Sequence, residues 1–129
     1  MARADNSVMK GDDIAERLEE YGASVIKIAR SLPNDRAGKL MTDQLITSGT
    51  AGGSNYEESR SAQSRRDFIH KASLGAKEMR ESLYWLGVVA RTEPELKEDA
   101  MALKREGTEL VAILMASVKT ARANGRKPG

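Results

Sequence analysis

The sequence predicts an all-α protein, an antiparallel up-down-up-down four-helix bundle. Three observations carry that expectation. Apolar residues recur at alternating spacings of four and three in four separate stretches, the period that places them on one face of a helix. No run alternates apolar and polar residues with the period of two that a half-buried strand needs. The prolines Pro33, Pro94 and Pro128 stand where helices could begin or end, as residues without an amide hydrogen should. The connections are short, so consecutive helices should lie antiparallel side by side. A single domain over 1–129 is expected, with helices at about 12–31, 36–60, 65–91 and 94–122 and frayed termini.

The first helix rests on the stripe Ile14, Leu18, Tyr21, Val25, Ile28 and Leu32. Asp13 followed by Glu16 resembles a capping box. Ala15, Gly22 and Ala29 repeat every seven residues beside the stripe and would let a neighbouring helix approach closely. Pro33 stops the helix, and Asn34 or Asp35 can cap the next. The second helix has a weaker stripe: Ala37, Leu40, Met41, Gln44, Leu45 and Ser48. Ser48 to Ser54 then holds three glycines, each costing roughly 1 kcal/mol in a helix interior. Propensity alone favours a loop there; the alternative is a helix packed too tightly for side chains.

The third helix opens at Ser64, with Asp67 three residues on as a second capping box. Its stripe is Phe68, Ala72, Gly75 or Ala76, Met79, Leu83, Leu86 and Ala90. Leu74, Trp85 and Val88 form a second apolar edge, expected to meet another subunit. The fourth helix is entered through Thr92-Glu93-Pro94-Glu95, with Thr92 as the expected N-cap. Leu96, Ala100, Leu103, Gly107, Leu110, Leu114, Ser117 and Ala121 hold its stripe, widened by Val111, Ile113 and Val118.

Composition narrows the function classes. The absence of cysteine excludes disulfides, thiolate metal sites and a cysteine nucleophile. The first seven residues carry no apolar core of a signal peptide, and no stretch is long and apolar enough to span a bilayer. A cytoplasmic location and no membrane partner are therefore expected. The net charge is only +2, but the cations are uneven. Arg60, Arg65, Arg66 and Lys71 gather mid-chain, and Lys119, Arg122, Arg126 and Lys127 crowd the C-terminus. Such a tail reads first as a solubilising end and otherwise as a contact for phosphate backbones.

The middle of the chain resembles a known family, the bacterial four-helix-bundle proteins first met in intervening sequences of 23S ribosomal RNA genes. That family carries a Ser-Ile-Pro-Ala-Asn-Ile-x-Glu-Gly-like stretch, then Ser-x-x-Glu-Phe-Ile, then Ala-x-Gly-Ser-x-x-Glu. Asn55 and Glu58 match the first motif, Ser64, Asp67, Phe68 and Ile69 the second, and Ala72 and Glu78 the third. Ala51-Gly52-Gly53-Ser54 replaces Ser-Ile-Pro-Ala, Ser59 stands for the glycine, and Leu74-Gly75 for Gly-Ser. The resemblance runs from about Ile14 to Val118. It implies a helix through the glycines and assembly into rings, commonly pentamers. The family is similar in fold to accessory proteins of diversity-generating retroelements, which bind nucleic acid and a reverse transcriptase.

Asn55, Glu58 and Glu78 are the sharpest constellation. Asn55 and Glu58 share a helix face, being three apart, and Glu78 borders the core stripe of the next helix. They are expected to form a buried network that fixes helix register, with Ser73, Ser82 or backbone groups as further partners. The rival reading is a carboxylate metal or proton site. His70 is the only histidine. Di-iron bundles need a Glu-x-x-His from each of two helices, so no metal is expected. No Gly-x-Ser-x-Gly elbow and no phosphate loop occur. No catalytic residue and no cofactor are expected. The resulting expectation is a non-enzymatic oligomeric scaffold or adaptor. Its partners are copies of itself, with RNA or DNA held by the basic residues, or otherwise a protein without nucleic acid.

Overall fold

The computed structural model describes residues 10–125. Four helices follow in order: α1 (Gly11–Ala29), α2 (Arg36–Arg60), α3 (Arg65–Thr92) and α4 (Lys97–Gly125), with a short 3-10 turn (Pro94–Leu96) before α4. Each helix packs on the next and α4 returns to α1, which makes the fold an all-α four-helix bundle.

Helix ends follow local chemistry. The Asp35 carboxylate accepts the Gly38 amide at 2.8 Å and starts α2, while Ser64 Oγ accepts the Asp67 amide at 3.0 Å and starts α3. Two expected caps are not made. α1 begins at Gly11 with Lys10 as N-cap and no side-chain cap, ahead of Asp13. Thr92 ends α3 instead of capping α4: its hydroxyl donates back to the Val88 carbonyl at 3.0 Å, and the Pro94–Leu96 turn intervenes.

Ile14, Leu18, Tyr21 and Val25 from α1, Leu45 from α2, Met79, Leu86 and Val89 from α3, and Leu110 and Leu114 from α4 are almost wholly buried. The glycine stretch is helical throughout. A Cβ at Gly49 would lie 2.7 Å from Val25 Cγ1, and one at Gly52 would lie 2.4 Å from Met79 Cγ. α2 thus faces α1 and α3 almost backbone to side chain, and the packing gained outweighs the helix propensity lost. The apolar stripe of α2 is rotated from its expected place. Gly38 is buried, whereas Leu40 is 53% exposed and Ala37 is exposed. The chain reversal decides this, since a Cβ at Gly38 would fall 1.8 Å from the Pro33 carbonyl oxygen.

Candidate nucleic-acid interface

One end of the bundle collects the C-terminus of α2, the N-terminus of α3 and the C-terminus of α4. Ser64 caps α3 so that Arg65 and Arg66 occupy its first turn, and Arg122 sits in the last turn of α4. Arg65, Arg66, Ile69, Arg122 and Gly125 line a hollow of about 500 Å³. Met115, Lys119, Arg122 and Ala123 line a second of about 480 Å³, so Arg122 is common to both. Arg65 lies along Gly125, its Cδ 3.1 Å from where a Cβ would stand. These four cations are exposed and make no ion pair among the described residues. The helix dipole favours Arg122 where it is and disfavours Arg65 and Arg66, because a helix N-terminus carries partial positive charge.

The other cations assigned to this surface are arranged differently. Arg60 is clamped by Asp12 of α1 and by Glu57 at 3.5 Å. These carboxylates raise its pKa, the hydrogen bond it donates to Asp12 most. Lys71 is 3.1 Å from Glu58. Both are therefore partly neutralised within the fold. Arg126 and Lys127 lie outside the described residues.

Asn55, Glu58 and Glu78 do not form one buried network. Glu58 is exposed and paired with Lys71. Asn55 is half-buried, and its Nδ2 donates to the Ala51 carbonyl at 2.9 Å, one turn back on its own helix. Glu78 is half-buried and makes no hydrogen bond among the described residues. A Cβ at Gly75 would lie 3.0 Å from the Gly52 carbonyl oxygen, so the helices touch through their backbones there. Gly52, Tyr56 and Ser59 hold the buried face of α2, and Glu58 lies off it. Ser73 Oγ is shielded from solvent but has no partner among the described residues.

The interior polar contact lies elsewhere. Tyr21 of α1 and Ser82 of α3 are both buried, with their hydroxyls 2.7 Å apart. Ser82 Oγ also lies 2.6 Å from the Met79 carbonyl, which can only accept, so Ser82 spends its proton there and Tyr21 donates to Ser82. Burial first, and the Glu106 charge less, push the Tyr21 phenol up to about 12. Gly107 makes room, since a Cβ there would lie 2.8 Å from the tyrosine ring. Nearby, Arg17 forks onto Glu106 at 2.7 and 3.0 Å and reaches Glu109 at 3.3 Å, joining α1 to α4. Tyr21 and Gly107 stand at expected stripe positions of α1 and α4, whereas Ser82, three residues after Met79 and four before Leu86, takes the buried place expected for Leu83.

Leu74, Trp85 and Val88 are half-buried, and Trp85 and Val88 pack on the core cluster. Among the described residues, the large apolar side chains that remain exposed are Leu40, Tyr84 and Met101. Among the described residues no group of three or more His, Asp or Glu side chains could hold a metal ion. Among them too, no helix is long and apolar enough to cross a membrane.

The family described as 23S rRNA-intervening sequence protein matches residues 12–116, from the first turn of α1 deep into α4. The chain belongs to that family. A crystal structure at 1.70 Å of a protein of unknown function from the S23 ribosomal protein family of Bacteroides thetaiotaomicron is similar over 86% of this chain and 99% of that one, with 32% identity and a TM-score of 0.78. No curated protein matches. The family match includes the arginines at the start of α3 but ends before Lys119 and Arg122, so half of the basic end lies beyond it.

Proposed function

We propose that this 23S rRNA-intervening sequence family protein is a non-enzymatic cytoplasmic scaffold. It assembles with copies of itself and contacts nucleic acid through the end of the bundle carrying Arg65, Arg66, Lys119 and Arg122. The observation that carries this reading is the convergence on two adjoining hollows of four cations that make no ion pair among the described residues. Two of them stand where the helix dipole works against them, a placement that folding alone does not favour. Arginine forks suit phosphate oxygens, and lysine adds a point charge. The family's name ties it to 23S rRNA, which makes RNA the first ligand to test. A ring, five subunits being the expected number, would repeat the patch and raise avidity without new contacts.

Fluorescence anisotropy with labelled single-stranded RNA and with a duplex, at several salt concentrations, tests the proposal. Sequence-independent binding should appear at low salt. For single-stranded RNA the log–log salt slope should be about −3 if four phosphates are neutralised per copy. Arg65→Glu/Arg66→Glu should remove most of the binding. If low salt yields no binding, or the double reversal leaves it intact, the protein-interaction reading replaces this one. The exposed Leu40, Tyr84 and Met101 favour that second reading.

A further inference from the structure

Charge is divided across the bundle. α1 carries five carboxylates against two cations, whereas α3 carries six arginines and lysines against three carboxylates. Because the helices pack in the cycle α1, α2, α3, α4, the α1–α2 seam and the α3–α4 seam lie on opposite sides. The α3–α4 seam holds a hollow of about 530 Å³ whose lining includes Arg91, Pro94, Lys97, Met101 and Lys104 and no carboxylate. None of its three cations makes an ion pair among the described residues. Met101 is 36% exposed and shares one face of α4 with Lys97 and Lys104, at spacings of four and three.

This surface makes two demands on an occupant: counter-charge for the lysines and dry cover for Met101. Phosphates would meet the first only. The α1–α2 seam of the same chain meets both. Its hollow of about 390 Å³ has apolar walls from Leu18 and Ile26, and Glu19 and Glu57 among its lining. Glu57 also reaches Arg60 of its own chain at 3.5 Å, at an exposed position where such a pair is weak.

We propose that the α3–α4 seam docks the α1–α2 seam of a second copy, with Met101 entering the hollow and Lys97 and Lys104 meeting Glu19 and Glu57. The two surfaces are different and lie on opposite sides, so the contact is heterologous. Each copy offers one of each, and the series closes where the rotation per copy allows a ring. The inference rests on the self-assembly reading and names the faces that carry it.

Light scattering on the full chain at micromolar concentrations tests it, with circular dichroism to check that each variant folds. Glu19→Lys/Glu57→Lys and Lys97→Glu/Lys104→Glu should each raise the concentration needed for assembly at least tenfold. The quadruple variant carrying all four reversals should assemble again, since every contact regains opposite charges. Met101→Ser should weaken assembly without any charge change. If wild type assembles and the double variants assemble equally well, the pairing is wrong and self-assembly stands. A quadruple variant that stays dissociated likewise overturns the pairing. A monomeric wild type defeats the self-assembly reading itself, and the pairing with it. Loss of RNA binding without loss of assembly in Lys97→Glu/Lys104→Glu would assign the groove to nucleic acid instead.

Discussion

Tyr21 buries both its ring and its hydroxyl in the middle of the bundle, at 1% exposure, and a phenol there needs a partner. Ser82 supplies one, and the order of donation makes the two partners unequal. Tyr21→Phe leaves Ser82 still donating to the Met79 carbonyl and should cost about 0.5–1.5 kcal/mol. Ser82→Ala strands the tyrosine hydroxyl and should cost more, about 1–3 kcal/mol; urea midpoints of the two variants give the comparison. Alkaline pH reads the same site. The Tyr21 pKa is raised from 10 in the unfolded chain to about 12 in the fold. The folded state therefore holds a proton that the unfolded state has lost. That stability is whole below pH 10 and falls as pH rises toward 12, by about 1.4 kcal/mol per pH unit. Tyr56 is shifted up as well, by burial first, and adds to the decline. Urea midpoints from pH 9 to 11.5 should drop less steeply in Tyr21→Phe than in wild type.

The helices differ in how tightly they touch, and α2 is the extreme case. A methyl at Gly49 meets Val25, whose branched side chain has almost no rotamer to move into. Gly49→Ala should therefore destabilise by about 1–3 kcal/mol despite its better helix propensity. At Gly22 a Cβ would find its nearest neighbour at 3.6 Å, an ordinary contact. Gly22→Ala should be neutral or stabilise by up to about 1 kcal/mol. Chemical denaturation of the pair separates close packing from propensity. The sequence alone could not make this distinction, because the same residue serves both positions. The apolar stripes of α1 and α4 and the Asp35 and Ser64 caps were legible, since each depends on chemistry within a few residues. The helix through Gly49, Gly52 and Gly53 was implied only by the family resemblance, because propensity there favours a loop. Thr92 and Leu40 stand elsewhere than expected because the backbone path of a turn, which residue pattern does not reveal, decides them: the turn through Pro94, and the Pro33 carbonyl pressed against Gly38. The Asn55, Glu58 and Glu78 set was legible as polar residues near a stripe. Glu58 turns outward because Gly52, Tyr56 and Ser59 hold the buried face of α2, and the weak apolar stripe of that helix did not reveal this.

At the scale of the whole molecule, α1 is the helix least held by its neighbours. It touches α2 and α4 less than α3 does, and its start has no side-chain cap. Part of what joins it to α4 is polar: the Arg17 fork on Glu106, with Glu109 alongside. Arg17 is three-quarters shielded from solvent and Glu106 about two-thirds, so solvent weakens this pair less than an exposed one. The Glu106 hydrogen bond is the main cause of the raised Arg17 pKa, and burial opposes it. Proteins open in cooperative pieces whose cost follows their packing. Native-state hydrogen exchange should therefore find α1 protected less than α3, with its first turns exchanging fastest. Arg17→Ala removes the fork without touching the buried stripe of Ile14, Leu18, Tyr21 and Val25. At about 0.5–1 kcal/mol, the loss should speed exchange in α1 roughly two- to fivefold and leave the α3 core around Met79 and Leu86 nearly unchanged. Equal acceleration in all four helices would mean that α1 opens only with the entire bundle, and the seam between α1 and α4 would then have no independent motion.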